Sequence, residues 1–287
     1  MKISTILKII TVFALTVIIA SAGCISDTED DSSKIKIAVS IIPEETFVNA
    51  VCKDMADVIV MIPPSSSPEN YEPTPLQMTK LENADIYFGI GVPAEVSILE
   101  TISDKSKIVS LNEAASEEYD ELTLGCGRDP HIWLSPKRAE VMVQKIADEV
   151  SLADPDNSSI YQRNADSYIQ ELQSLDSELT EKFAEIKNKK FIVYHPAFAY
   201  FADDYGLEMY ALEEGGKEAS IQHMKEMIDL AKAEGIKVIF YQDEIDSSQS
   251  QAFAEEIGGS SYALSPLAAD YINNLRTMAD KIIESLK

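Results

Sequence analysis

The chain has 287 residues, and its 49 Asp and Glu against 24 Lys and Arg give a formal net charge of −25 at pH 7. A surface this acidic repels nucleic acid and anionic lipid headgroups, so we expect no nucleic acid among its partners. A cation suits such a surface better, although solvated acidic faces are also common in proteins that bind no ion.

The N-terminus has the order of a secretory signal. Lys2 and Lys8 form a basic region, an apolar stretch follows, and the small residues Ser-Ala-Gly lead to Cys24. The apolar stretch is short for a bilayer-spanning helix, but a retained transmembrane anchor is the alternative. We predict a signal peptide at residues 1–23, a lipid on Cys24, and a flexible tether at residues 24–33. The protein would then be extracytoplasmic, anchored to the outer face of the cell membrane.

After the tether, short β-branched runs alternate with amphipathic segments, which is the pattern of a parallel α/β sheet. Ser135 and Pro136 are the residue types expected at an N-cap and a first helical position, so a helix is predicted to begin there. The sequence predicts an N-terminal α/β lobe at residues 34–153. Its predicted strands are residues 35–40, 58–62, 86–90 and 108–111.

Apolar residues then recur at spacings of three and four from Tyr161 to Ile186, which predicts one helix of roughly 28 residues. A second alternation of strands and helices follows. We therefore predict two lobes, each with a central, mostly parallel sheet flanked by helices, joined by a rigid connector helix at residues 154–188. The C-terminal lobe is residues 189–287, with predicted strands at residues 190–194, 207–212, 236–241 and 260–264.

The two cysteines that follow Cys24 are compatible with a disulfide or with free thiols. Cys52 and Cys126 can join in an exported protein, but Cys52 falls in a predicted helix and can equally be a buried thiol.

Two of the three histidines lie in loops beside prolines. His195 follows a predicted strand directly, and ligands of open parallel sheets bind outside the carboxyl ends of the strands. His131 lies just before the helix that begins at Ser135. Imidazole is a favoured ligand of zinc, manganese and iron, so two histidines from separate lobes with one or two carboxylates would complete a metal site. The alternative is that each is a hydrogen-bonded structural residue, and His223 is predicted to be a solvent-facing helical residue.

Three strings of the sequence resemble signature segments of the substrate-binding proteins of zinc- and manganese-type metal ABC importers. They are Pro-Glu-Asn-Tyr-Glu-Pro-Thr-Pro at 68–75, Asp-Pro-His-Ile-Trp-Leu-Ser-Pro at 129–136, and Tyr-His-Pro-Ala-Phe-Ala-Tyr-Phe at 194–201. The resemblance extends over nearly the whole chain after the signal, including the connector helix. It implies a monomer that captures a divalent transition-metal ion, Zn or Mn first, between two lobes and delivers it to an ABC transporter permease.

Position by position, the resemblance assigns four metal ligands. His131 and His195 match two histidine ligands of the family, Glu69 stands where the family has its first histidine, and Ser265 stands where it has a C-terminal aspartate. An oxygen-richer set of this kind favours harder ions such as Mn or Fe(II) over Zn.

The fourth position has other candidates, and two further departures from the family accompany them. Water, Asp243 or Asp270 would serve in place of Ser265. Gln242 stands where many members have Glu, and the histidine-rich loop of many zinc-specific members is missing before Asp129.

Three other functions compete with metal transport. The altered positions would suit a metal chelate or another small ligand, and the same tethered fold would serve a surface adhesion protein without a metal. Two histidines and a carboxylate also resemble a hydrolytic zinc site. Because the sequence has no glycine-rich phosphate loop and no nucleophile elbow, we predict that the protein is not an enzyme.

Overall fold

The computed structural model describes residues 34–125, 127–213, 217–242 and 248–287. The predicted signal, Cys24 and its tether lie outside the described residues, as do Cys126 and Asp243. Residues 35–287 form one compact unit. In the part of the chain that the structure describes, no helix has the length and apolar character needed to cross a membrane.

The N-terminal sheet of the described residues has four parallel strands in the order β2-β1-β3-β4. The strands are β1 (Ile35–Val39), β2 (Ala56–Val60), β3 (Ile86–Gly89) and β4 (Ile108–Ser110), and the helices that connect or follow them are α1 (Ile42–Cys52), α2 (Pro75–Glu82), α3 (Glu95–Thr101) and α4 (Leu111–Ser116).

The spacing of Phe47, Val51 and Met55 predicts a helix from Glu45 to Met55, but helix α1 begins three residues earlier, at Ile42. Glu44 gives the physical reason. The Glu44 carboxylate accepts hydrogen bonds from the backbone N–H groups of Ser40 and Ile41, both at 2.9 Å. Without this carboxylate, these donors would be unsatisfied at the helix start. Pro43, the second residue of the helix, has no backbone N–H and so needs no acceptor.

A short antiparallel hairpin, β5 (Thr123–Leu124) and β6 (Gly127–Arg128), leads to the two longest helices, α5 (Pro136–Ala153) and α6 (Ser158–Ala184). The Ser135 side chain caps α5 by accepting from the Arg138 N–H, as its sequence predicts. Helix α6 has 27 residues and is about 40 Å long, which confirms the predicted long helix.

The C-terminal sheet also has four parallel strands among the described residues, in the order β10-β9-β7-β8. Its strands are β7 (Lys190–Val193), β8 (Glu208–Ala211), β9 (Val238–Gln242) and β10 (Ser260–Leu264), and its helices are α7 (Ala199–Asp204), α8 (Ile221–Glu234), α9 (Ser248–Glu256) and α10 (Tyr271–Ser285). Two parallel-sheet lobes with flanking helices and a long helix confirm the predicted fold class.

One continuous apolar core runs through both lobes and the long helix. It includes Phe47 of α1, Leu172 and Phe183 of α6, Phe240 of β9 and Ile282 of α10. Cys52 is fully buried at the end of α1 and is a free thiol, so the disulfide alternative does not hold for this residue.

Candidate metal centre

Glu69 lies in the loop that follows β2, and backbone and side-chain hydrogen bonds hold this loop in place. The carbonyl of Pro68 accepts from the Ala94 N–H at 3.0 Å, which ties the loop to the start of α3. The Gln77 side chain donates to the Met61 carbonyl and accepts from the Tyr71 hydroxyl, at 2.8 and 2.9 Å. The Glu69 carboxylate is therefore presented from a braced loop.

His131 lies in the turn before α5, and Asp129 fixes its ring. One Asp129 carboxylate oxygen accepts from the His131 backbone N–H at 2.9 Å and lies 2.7 Å from ring Nδ1. A carboxylate on Nδ1 places the proton there and leaves Nε2 as the lone-pair nitrogen. The His131 ring thus presents a ligand atom, and its centroid lies 5.4 Å from that of Trp133.

His195 follows β7 by two residues, and Glu213 follows the neighbouring strand β8 by two. Val193 and Ala211 are paired in register, so the residues two positions further lie side by side. Nδ1 of His195 is 2.9 Å from a Glu213 carboxylate oxygen. Both histidines therefore have a carboxylate on Nδ1 and direct Nε2 at the same point.

The ligand atoms of Glu69, His131 and His195 all lie within 4.8 Å of one another. His195 Nε2 is 2.9 Å from Glu69 Oε1 and 3.2 Å from His131 Nε2. Ligand atoms bonded at about 2.0–2.2 Å to a tetrahedral zinc ion are roughly 3.3–3.6 Å apart. Small outward shifts of these side chains therefore suffice to admit an ion.

The charge at this centre is balanced by a proton on His195. Burial lowers the pKa of His195, but the hydrogen bonds to Glu213 and Glu69 outweigh burial and raise this pKa to about 9. The hydrogen bond from His195 in turn lowers the pKa of Glu69. A cationic imidazole thus bridges two carboxylates, and a divalent cation fits the same electrostatic environment.

The cavity at this centre has a volume of about 10 Å³, about the room that one water molecule needs. Its lining residues are Ser67, Pro68, Glu69, His131, Trp133, His195, Gln242, Pro266 and Leu267. His131 and His195 are only 6% and 3% exposed. Space of this size suits a small ion between the ligand atoms with at most one water molecule, and it is too small for an organic chelate.

The predicted fourth ligands lie in different places. Pro266 and Leu267 line the cavity but Ser265 does not, and the Ser265 carbonyl accepts from the Asn274 side chain at 2.7 Å. Ser265 as a ligand therefore stays a prediction. Asp270 lines a separate groove and pairs with the Asn273 amide.

The prediction that His223 faces solvent is wrong. This residue is half-buried, with Nε2 3.0 Å from the Ala211 carbonyl.

Glu213 is a site residue that sequence reasoning missed. The rule that selected His195, proximity to the carboxyl end of a strand, applies equally to Glu213. Its partner was identifiable only from the strand register, which places β8 beside β7. The role of Asp129 could have been predicted from the sequence, because a carboxylate two residues before a histidine can accept a hydrogen bond from its ring.

Comparison with known proteins finds relatives that match nearly the whole described chain. The family described as "Zinc-uptake complex component A periplasmic" matches residues 37–285. The "High-affinity zinc uptake system protein ZnuA" of Bacillus subtilis is 29% identical over 283 residues, which cover 93% of this chain and 89% of that protein. The "Zinc-binding lipoprotein AdcA" of Streptococcus pneumoniae is also 29% identical, over 84% of this chain, but the chain spans only 52% of that protein.

A solved structure described as a ZnuA deletion mutant with zinc bound is 34% identical in sequence. It superposes with a TM-score of 0.82 over 88% of this chain and 98% of its own. This family consists of metal-binding components of transport systems and not of enzymes. With the family match over residues 37–285, nearly the whole described chain, the protein belongs to the periplasmic zinc-uptake component A family of substrate-binding proteins.

Proposed function

We propose that this protein captures a divalent transition-metal ion, zinc in the first place, at Glu69, His131 and His195. The observation that carries the proposal is the convergence of these three ligand atoms within 4.8 Å in a buried cavity of single-ion size. Two imidazoles and one carboxylate, each imidazole oriented by a second carboxylate, form a donor set suited to zinc. Such a set also accepts Fe(II) and Mn, which compete in this proposal.

The test is calorimetric titration of the metal-free protein with Zn²⁺, followed by the same titration of His195→Ala. We expect one tight site in the wild type and loss of tight binding in the variant. His223→Ala is the matched control, because it removes the third histidine without touching the cluster, and it should bind like the wild type. Absence of tight divalent binding in the wild type, or equal binding by His195→Ala, would refute the proposal.

The ion carried in the cell is a separate question, which elemental analysis of protein purified from its own host answers. We expect zinc in equimolar amount. Competition titrations with Mn²⁺ and Fe²⁺ then rank the alternatives that the Glu69 carboxylate introduces.

We infer that the protein works outside the cytoplasm, held to the membrane by a lipid on Cys24, and that it delivers its ion to an ABC permease. The support is the secretory order of residues 1–24, the family match and the naming of one relative as a lipoprotein. Cys24→Ala should move the protein from the membrane fraction to the soluble fraction after cell breakage. Deletion of the gene should impair growth on limiting zinc, and unimpaired zinc uptake in the deletion strain would contradict delivery.

A further inference from the structure

Gln242 lies at the topological switch point of the C-terminal sheet. β8 follows β7 on one side of the sheet and β10 follows β9 on the other side, so the strand order reverses between β7 and β9. Crevices of this kind are where open α/β sheets bind their ligands. Gln242 is the last residue of β9 and is therefore placed at the mouth of that crevice.

The strand register places Gln242 beside His195. Val193 of β7 is paired with Phe240 of β9, and side chains two positions further along each strand return to the same face. His195 thus has Glu213 on one side and Gln242 on the other. Both His195 and Gln242 line the metal cavity.

The Gln242 side chain is buried and lines the same cavity as Glu69, His131 and His195. Gln242 is 7% exposed, and the neighbouring Phe240 and Leu264 belong to the core. Its Nε2 atom is fully buried and has no hydrogen-bond partner among the described residues. Because buried donors are almost always paired, an amide donor in this position points to an acceptor inside the cavity.

The three protein ligands leave one side of a four-coordinate ion open. Resting on the metal-binding function proposed above, we propose that Gln242 is a positioning residue for the fourth ligand, a water molecule on the ion, to which Nε2 donates a hydrogen bond. With a water molecule as the fourth ligand and a neutral amide as its partner, Glu69 is the one carboxylate bonded to the ion. The fourth position then needs no side-chain oxygen from Ser265.

The experiment compares Gln242→Leu with the wild type in two measurements, Zn²⁺ affinity by competition with a chromophoric chelator and the visible spectrum of the Co²⁺-loaded protein. Loss of an outer hydrogen-bond partner of a metal site typically weakens binding about 10–100-fold, and we expect a loss in this range. We also expect the Co²⁺ bands to change, because they report the ligands of the ion and a merely structural role would not alter them. Gln242→Met, which keeps the length of the side chain without a donor, replaces the Leu variant if that variant melts early.

Two control variants accompany the test. Gln170→Leu removes an exposed glutamine from α6 and should leave affinity and spectrum unchanged. Ser265→Ala should also match the wild type if water holds the fourth position. A changed Co²⁺ spectrum in Ser265→Ala, or wild-type affinity and spectrum in the Gln242 variants, would overturn the inference. Failure of the wild type to bind Zn²⁺ or Co²⁺ would instead refute the proposed function.

Discussion

His195 has a carboxylate on each ring nitrogen, so a proton and the proposed metal ion would compete for Nε2. Glu213 holds Nδ1, while Nε2 contacts both Glu69 and His131. In the metal-free protein the proton on Nε2 satisfies these acceptors. A metal ion bound at Nε2, as proposed above, would have to displace that proton, so binding and proton release would be linked.

We predict that zinc affinity rises with pH up to about 9, the value to which its carboxylate partners raise the pKa of His195. Below this pH the apparent affinity should fall by about tenfold for each pH unit until other ligands also titrate. Calorimetry in buffers of different ionisation enthalpy measures the proton released per ion. A pH-independent affinity between pH 6 and 9 would contradict this prediction.

The same raised pKa predicts the opposite trend for the stability of the metal-free protein. His195 is more basic when folded than its unfolded value of about 6.5, so its contribution to stability is complete below that pH. The contribution is lost as the pH rises through about 9. We expect the melting temperature of the metal-free protein to fall over this interval, and His195→Gln should show a flatter profile in thermal melts.

Glu213→Gln should separate the two roles of Glu213. Loss of the charge makes the His195 imidazole a weaker ligand, which we expect to lower zinc affinity at pH 9 by about 10–100-fold. It also lowers the pKa of His195, so the pH dependence should flatten and the loss at pH 7 should be smaller. Glu208→Gln, an exposed glutamate of β8, is the matched control. Equal losses at both pH values would show that Glu213 does not set the His195 proton affinity.

At the level of elements, the turn before α5 connects the lobes through Trp133. Its indole Nε1–H donates to the Pro266 carbonyl at 2.9 Å, although the two residues are 133 positions apart. The Trp133 carbonyl in turn accepts from the Tyr271 hydroxyl. The segment that carries His131 is therefore fixed to the loop that leaves β10.

We predict that Trp133→Phe destabilises the fold, because it leaves the Pro266 carbonyl without its indole donor. An unsatisfied buried acceptor costs about 1–3 kcal/mol, which is about 2–4 °C in melting temperature per kcal/mol for a chain of this size. Thermal melts followed by circular dichroism measure the loss. Tyr262→Phe, at an exposed tyrosine of β10, is the control. An unchanged melting temperature in Trp133→Phe would contradict the lobe connection.

The strands could be predicted from the sequence because short β-branched runs bounded by polar segments are typical of β-strands. Each of the eight predicted strands is present, with ends displaced by up to two residues. The hairpin of β5 and β6 could not be predicted, since its two-residue strands have no β-branched run. The early start of α1 depends on the Glu44 carboxylate reaching back to Ser40 and Ile41, a contact that helical periodicity does not indicate.

The candidate site was only partly predictable for a related reason. Glu69, His131 and His195 could be identified one by one from loops, prolines and a family resemblance. Gln242 and Glu213 become site residues through strand order and register, which are properties of the folded sheet. Ser265 was assigned by sequence position alone, and the structure directs its carbonyl to Asn274.

For the whole molecule, the continuous core and the polar contacts between lobes oppose a wide hinge. Thr46 of α1 donates to the Ala269 carbonyl at 2.8 Å, and Ser135 donates to Asp204 at 2.6 Å. Arg138 adds a buried ion pair with Asp204. Opening the lobes would break these contacts and expose apolar surface from both sheets.

We therefore predict that the overall dimensions stay the same when the ion binds. A compact unit of this size has a radius of gyration of about 18 Å, and the ligand atoms already lie near tetrahedral spacing, so capture needs local shifts only. Small-angle scattering of the mature Cys24→Ala protein should give superimposable profiles with and without zinc, because the tether contributes equally to both. A measurable compaction would mean that closure of the lobes, rather than adjustment of Glu69, His131 and His195 within a fixed frame, brings the ligands together.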